Sequence, residues 1–209
     1  MEADLSALSD YVERTGGSKA SELLGLETAT EGWEDLGVKE AVHSYRKQIN
    51  SGVYYIKGVG DISTPVQTIL DLTRDQSRRK LWDSMFKEGR NVHEFTEHSR
   101  LVYEQFAAPW PVSNRDFLLA NYVQHTAEFS VSVNFSVEHP SVPPVRGVVR
   151  AHTEVGGFVC RKLGERETRV TFALCMDPRG AIPQAIVNAS QKKQAQKISK
   201  IRAVLTKSA

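Results

Sequence analysis

The sequence has few cysteines and no long apolar segment. Its 209 residues include only two cysteines, Cys160 and Cys175, too few for a disulfide-stabilised scaffold, so we expect buried free thiols. No window approaches the ~18 consecutive apolar residues of a membrane-spanning helix. The first ten residues, MEADLSALSD, are acidic and lack the layout of a secretory signal. Together these absences favour a cytoplasmic protein with a single domain over residues 1–209.

Motifs of enzymes and metal sites are also missing. The sequence has no G-x-S-x-G, P-loop, dinucleotide fingerprint or C-x-x-C. His93 and His98 flank a glutamate but are five positions apart, whereas a zinc-protease helix places its two histidines four apart. We therefore expect no metal, no cofactor and no enzymatic activity. The enzymatic alternative would use His152 with Glu154 as an acid–base pair.

The basic residues are concentrated at the C-terminal end. The chain has 27 Lys and Arg against 25 Asp and Glu, and residues 181–209 contain six of these bases and no acid. This segment lacks interleaved aromatic residues on which bases could stack, so we expect no nucleic-acid partner.

The pattern of apolar residues predicts three helices. Residues 3–14 form a helix that Gly16-Gly17 ends, within an N-terminal helical segment 1–30. Ser63-Thr64-Pro65 begins a second helix with a hydroxyl cap, which runs to about Arg78. A last helix of about 24 residues follows Pro183 and lies within 181–207.

Period-two alternation predicts about nine strands around these helices. Phe129, Val131, Val133 and Phe135 alternate with serines and Asn134, which is typical of an antiparallel strand. Helices combined with an antiparallel sheet make the predicted fold class α+β. A sheet of about nine strands is strongly twisted and curls, so one helix that covers its concave face leaves a cavity. The strands lie near 32–38, 41–49, 53–60, 91–97, 100–107, 115–125, 128–137, 147–161 and 167–176.

Three segments resemble the START family of lipid carriers. They are RKLWD at 79–83, PWPVSNRDF at 109–117 and NFSVEH at 134–139. The similarity extends over residues 30–205 and is strongest to the subgroup that carries ceramide and phosphatidylcholine. It implies a helix-grip fold, a curved antiparallel sheet closed by the C-terminal helix around a lipid cavity, and transfer of one lipid between membranes. A lipid sensor is the alternative with the same ligand.

The resemblance also implies which residues contact the lipid. In ceramide carriers, polar side chains hold the amide and hydroxyls of the head, and their positions match Arg79, Asp83, Glu104 and Asn134. In phosphatidylcholine carriers an arginine that binds phosphate matches Arg79. These carriers also surround the quaternary ammonium of the head with a cage of aromatic residues, and this chain keeps few of them.

Two further residues follow from the other cargo classes. Sterol-binding members use a buried acid and arginine, which match Glu104 and Arg115, so a sterol is the alternative cargo. Phe117 stands where phosphatidylcholine carriers have a cage tyrosine. Ile186 belongs to the apolar stripe of the last helix, which is predicted to face the cavity.

The sequence allows two orientations of the Asn134 side chain. If the apolar side chains of its strand line the cavity, Asn134 points to solvent, whereas the resemblance places it inward.

Membrane contact is predicted at the loop before residue 115 and on the last helix. Trp110 and Pro111 lie in a proline-rich loop, where an exposed indole suits the headgroup boundary of a bilayer. Lys193 and Lys197 are assigned to the basic outer face of the last helix, which either contacts anionic lipid or is solvated. We expect a monomer that visits membranes transiently as a peripheral protein.

Overall fold

The computed structural model describes residues 2–50 and 53–207; Met1, residues 51–52 and residues 208–209 of the predicted single domain lie outside these ranges. Its helices are α1 (Glu2–Thr28), α2 (Val66–Arg74), a 3₁₀ helix (Gln76–Leu81), α3 (Gln184–Ala195) and α4 (Lys197–Lys207). Its strands are β1 (Glu34–Lys39), β2 (Val42–Asn50), β3 (Val53–Ile62), β4 (Phe86–Glu94), β5 (Ser99–Phe106), β6 (Arg115–His125), β7 (Phe129–Ser136), β8 (Val149–Arg150), β9 (His152–Gly164) and β10 (Glu167–Asp177).

All ten strands belong to one curved sheet, which confirms the predicted fold class. The spatial order is β1-β2-β3-β10-β9-β7-β6-β5-β4, with antiparallel neighbours throughout. The short strand β8 pairs in parallel with the start of β6. It arises because the predicted strand 147–161 breaks at Ala151. The sheet does not close into a barrel.

The two faces of the sheet have different partners. On the outer face, Val131, Val133 and Phe135 of β7 pack in the same apolar clusters as Val12 and Leu23 of α1. On the inner face, α2 and α4 pack against one half of the sheet. The remaining inner surface faces a cavity beneath α3. Both faces are thus largely buried, which decides how the alternation in β7 must be interpreted.

Helix α1 is longer than predicted. It continues through Gly16-Gly17, so the expectation that this pair ends the helix is wrong. Gly16 is buried against the ring of Tyr122, where an added Cβ would lie 2.4 Å from Cγ. The glycine therefore allows close approach of the helix to the sheet. At the other end, Lys57 Nζ donates to the carbonyls of Leu26 (3.1 Å) and Ala29 (2.6 Å), capping the last turn.

The second predicted helix is shorter and differently capped. Pro65 occupies the N-cap position and makes no side-chain cap hydrogen bond, so the expected hydroxyl cap is wrong. The α-helical part ends at Arg74, and Asp75 caps the 3₁₀ helix that follows. Its carboxylate accepts the N–H of Ser77 at 2.9 Å. This tighter turn carries Arg79 toward the inner face.

The last helix is interrupted, contrary to the prediction of one continuous element. Gln196 has φ −87° and ψ 6° and separates α3 from α4. Its amide Nε2 donates to Ser44 Oγ at 3.1 Å, which ties the break to strand β2. Beyond the break, Ile198, Ile201 and Leu205 pack in the core. The helix α3 covers the cavity and α4 is anchored to the sheet.

Candidate functional site

An internal cavity lies between the inner face of the sheet, α3 and the loop that precedes β6. Its volume is about 1320 Å³, counting the part of its mouth that is open to solvent. Most of the wall is apolar, so it suits a hydrocarbon chain. The apolar lining residues include Ile56, Phe106, Phe117, Leu119, Phe158, Phe172, Leu174, Met176, Ile186 and Val187.

Four charged residues form a buried cluster at one end of this cavity. Arg79 Nη1 lies 3.3 Å from Glu104 Oε1, and Lys197 Nζ lies 3.0 Å from Asp83 Oδ2. Arg79 Nε lies 3.7 Å from the same Asp83 oxygen. The most exposed of the four residues retains only 9% of its accessible surface. With two cations and two anions the cluster is formally neutral, as burial requires.

Burial and neighbouring charges shift the pKa values of two members of this cluster, Lys197 and Asp83. Burial lowers the pKa of Lys197, an effect that the Asp83 carboxylate opposes. For Asp83, burial alone would raise the pKa, but Lys197 and Arg79 together outweigh it and the pKa is lowered. The guanidinium of Arg79 also lies over the ring of Trp82, 4.2 Å from its centroid.

Several buried polar atoms near the cavity have no hydrogen-bond partner among the described residues. They include Arg79 Nε and the side-chain amide oxygens of Gln191 and Gln194 on α3. Both glutamines line the cavity. A buried polar atom without a partner costs free energy, so a ligand that supplies one gains affinity and selectivity.

The structure places most of the predicted lipid-contacting residues at the cavity. Arg79, Glu104, Phe117, Asn134 and Ile186 all line it. Asp83 is not part of the lining and lies behind the wall, where it pairs with lining residues.

The position of Asn134 settles the alternative left open by the sequence. The apolar side chains of β7 face α1 on the outer side of the sheet, so Asn134 faces inward and lines the cavity. The alternation in β7 could not show which face lines the cavity, because α1 covers the apolar face of this strand on the outer side of the sheet.

The predicted acid–arginine pair for a sterol is not formed. Glu104 is opposite Phe117 in the β5–β6 register, whereas Arg115 is opposite Phe106. Glu104 pairs with Arg79, and Arg115 donates to the carbonyls of Pro178 (3.2 Å) and Arg179 (2.9 Å). Arg115 lines the cavity, but its guanidinium fixes the turn before α3.

Lys197 is misassigned by sequence reasoning. It was predicted on the outer, membrane-facing side of the last helix, yet it is 7% exposed and its ammonium pairs with Asp83. A signal was available, because position 197 is four residues before Ile201 and eight before Leu205 and so shares their buried face. By contrast, Trp110 is 92% exposed, and Pro111 and Lys193 are also exposed.

The residues considered for metal or acid–base chemistry lie outside the cavity lining. No group of three or more His, Cys, Asp or Glu within residues 2–50 and 53–207 is placed to hold a metal ion. His152 Nε2 lies 3.5 Å from Glu154 Oε2, but Glu154 also contacts Lys19 of α1 on the outer face. None of the described helices has the length and apolar content needed to cross a bilayer.

Comparison with known proteins identifies the family. The START domain model matches residues 16–207, nearly the whole described range. The chain belongs to the START family. This confirms the resemblance found in the motifs at 79–83, 109–117 and 134–139, and it extends into α1, which the resemblance did not include.

Relatives of this START protein include curated lipid-transfer proteins. It is 31% identical over 137 residues to START domain-containing protein 10 of Homo sapiens, covering 65% of this chain and 47% of that protein. The chain thus spans about half the length of that relative. It is 27% identical over 169 residues to the phosphatidylcholine transfer protein of Bos taurus, covering 77% of each.

Solved structures agree on the fold. Human StAR-related lipid transfer protein 5 superposes with a TM-score of 0.86 at 19% identity, covering 95% of this chain and 98% of that one. At this identity the likeness concerns the fold alone.

Proposed function

We propose that this START protein binds one lipid in its internal cavity and transfers it between membranes. The observation that carries the proposal is the combination of an apolar cavity with a buried, formally neutral charge cluster at one end. The apolar walls receive the hydrocarbon chains, and the cluster receives the polar head. Relatives similar in sequence include a phosphatidylcholine transfer protein and a ceramide transfer protein.

The residues proposed to meet the head are Arg79, Glu104, Asn134 and Lys197. Asp83 supports them from behind the wall, while Phe117 and Ile186 contact the chains. A ceramide- or diacylglycerol-like lipid and a phospholipid both fit this division. A sterol carrier has weaker support, because Arg115 is bonded to backbone carbonyls instead of Glu104.

The loop containing Trp110 and Pro111 is proposed to contact the membrane. Trp110 is exposed in a loop whose neighbours Pro109 and Val112 line the cavity, so an indole inserted at the headgroup boundary would hold the mouth against the bilayer. Lys193 on α3 is exposed and adds attraction to anionic lipid. Lys197 is buried and is not part of the proposed membrane-contacting surface.

We propose a carrier and not an enzyme, because the acid–base pair considered for catalysis, His152 and Glu154, is absent from the cavity lining. A monomeric, cytoplasmic protein that is peripheral at membranes remains our prediction. A lipid sensor would share the cavity, but it would show partner contacts that depend on lipid loading.

The test combines lipid identification with transfer. The purified protein is incubated with a mixed-lipid extract, re-isolated, and its lipids are quantified by mass spectrometry, while fluorescent-lipid movement between donor and acceptor vesicles is followed in parallel. We expect about one lipid per protein and faster transfer. A folded protein that retains no lipid and accelerates no transfer refutes the proposal.

A matched pair of variants tests the site itself. Phe158→Asp places a charge in the wall of the cavity and is expected to abolish lipid retention. Leu163→Asp, on the exposed end of the same strand, is expected to retain lipid as the wild type does. Circular dichroism of both variants shows whether the loss reflects the site or unfolding.

A further inference from the structure

A polar pocket lies at the end of α2, apart from the lipid cavity. Its lining includes Arg74 of α2, Ser77 of the 3₁₀ helix, and Asn91 and Arg100 of strands β4 and β5. None of the residues that line this pocket also lines the lipid cavity. Arg100 is six residues from the end of β5 at Phe106, where the loop of the cavity mouth begins. Along an extended strand this corresponds to about 20 Å, so the pocket lies far from the mouth.

Two guanidinium groups meet in this pocket. Arg74 Nε and Arg100 Nε both donate to Asn121 Oδ1, each at 3.2 Å. Arg100 Nη2 also donates to the backbone carbonyl of Arg74 at 2.6 Å. The Asn121 amide is itself fixed, because its Nδ2 donates to Ser132 Oγ at 3.1 Å and to the Val133 carbonyl at 3.2 Å. Helix α2 and the sheet thus hold two like charges side by side.

These two cations lack the close carboxylates that the buried cations of the lipid cavity have. Arg79 pairs with Glu104 and Lys197 pairs with Asp83. Neither Arg74 nor Arg100 forms an ion pair with any carboxylate in the described part of the chain. The second of these arginines is only 7% exposed. A charge buried without a partner costs free energy, which a bound anion would offset.

The two carboxylates in the pocket wall are engaged elsewhere. Asp71 Oδ1 accepts from Gln67 Nε2 at 2.8 Å, and Asp75 Oδ1 accepts from the N–H of Ser77 at 2.9 Å and from its hydroxyl at 2.6 Å. Burial, and after it the neighbouring guanidinium, lower the pKa of Arg100 to about 10, and more distant carboxylates oppose this only in part. Close to the two guanidinium groups, the positive charge is therefore not compensated.

The paired arginines also keep hydrogen-bond donors for a ligand. A guanidinium carries five N–H donors. The hydrogen bonds of the described residues use one donor of Arg74 and two of Arg100. Both side chains line the open pocket, so a ligand can reach the donors that remain. Planar guanidinium groups bind the oxygens of phosphate-type anions in pairs, which fits two of them placed together.

We propose that Arg74 and Arg100 form a binding site for a soluble oxyanion of the phosphate type, either free phosphate or a small phosphomonoester. The oxyanion supplies the negative charge and the acceptors that the two guanidinium groups lack. Because the pocket lies about 20 Å from the cavity mouth along β5, the site stays in solution while the mouth contacts a bilayer. The proposal goes beyond the lipid cavity and does not depend on it.

The test is a titration of the purified protein with inorganic phosphate. Isothermal titration calorimetry gives the affinity, and melting temperatures are compared in phosphate and in chloride at equal ionic strength. We expect saturable binding and a higher melting temperature in phosphate. Arg74→Gln should weaken the affinity about tenfold or more, as the loss of charge-assisted hydrogen bonds implies. Arg169→Gln, which removes an exposed arginine paired with Asp61, should bind phosphate as the wild type does.

A second variant protects the test against misfolding. Arg74 is half-buried, so its loss can also disturb α2, whereas Asn91 is exposed at the pocket. Asn91→Asp should therefore fold, which circular dichroism checks, and should weaken phosphate binding by repulsion. Unchanged affinity in both folded variants, or a wild type that binds no phosphate, overturns the proposal. Either result leaves the carrier function standing, since that function is measured by lipid retention and transfer.

One further arm separates a soluble anion from a lipid head group. Cosedimentation is measured with phosphatidylcholine vesicles that contain or lack phosphatidic acid, whose head is a phosphomonoester. We expect Arg74→Gln to bind both kinds of vesicle as the wild type does. Weaker binding to the phosphatidic acid vesicles by Arg74→Gln, but not by Arg169→Gln, would assign the arginines to a membrane head group and refute the soluble ligand.

Discussion

The two adjacent glycines of α1 allow a direct test of how this helix packs. At Gly16 an added Cβ would lie 2.4, 2.6 and 2.9 Å from three ring atoms of Tyr122, whereas at Gly17 no atom lies within 4 Å. Alanine gains about 1 kcal/mol over glycine in a helix, and this gain is common to both positions. The difference between the two variants therefore isolates the packing term. Overpacking of a buried contact costs about 1–3 kcal/mol.

Gly17→Ala is thus expected to stabilise the protein, and Gly16→Ala to be less stable than Gly17→Ala by about 1–3 kcal/mol. Urea unfolding followed by circular dichroism gives both free energies, and the melting temperatures should differ by about 2–4 °C per kcal/mol. In a Tyr122→Ala background the difference should shrink. Equal stabilities of the two variants would mean that α1 does not pack on the sheet at Gly16.

Three other results are expected. Trp110→Ala should weaken cosedimentation with anionic vesicles and leave the unfolding free energy unchanged, since the side chain is exposed. Burial opposes the charge of Asp83, but Lys197 and Arg79 lower its pKa below 3.8, so its stabilisation is complete above that pH and is lost as the pH falls through the lowered value. Asp83→Asn should therefore cost more stability at about pH 7 than at about pH 2 in urea unfolding, and an equal cost would contradict the ion pairing. Burial raises the pKa of Cys160 to about 12 and that of Cys175 to about 11, so iodoacetamide at about pH 8 should label these thiols only as the protein unfolds.

The sheet was predictable because its strands carry strong local signals. Period-two alternation and turn residues locate each of the long strands, although the predicted starts of β4 and β9 each differ from the observed ones by five residues. The family motifs also placed Arg79, Glu104 and Asn134 at the cavity, where the structure has them. The lipid roles of these residues remain predictions.

The helices were less predictable because tertiary contacts decide where they begin and end. Gly16-Gly17 would end an isolated helix, but contact with Tyr122 makes the lack of a side chain favourable there. The break at Gln196 coincides with a hydrogen bond to Ser44, which is distant in sequence. Lys197 was misassigned because its charge was given more weight than its spacing from Ile201.

The pairing of the first and last parts of the chain affects when the cavity can form. Strand β3 pairs with β10, and at that junction Thr168 bonds to Thr64, 104 positions away. Because such non-local pairing is slow compared with local hairpins, the sheet should be completed late in folding. The cavity also needs α3, which follows β10. The lipid uptake that we propose therefore requires that nearly the whole domain has left the ribosome.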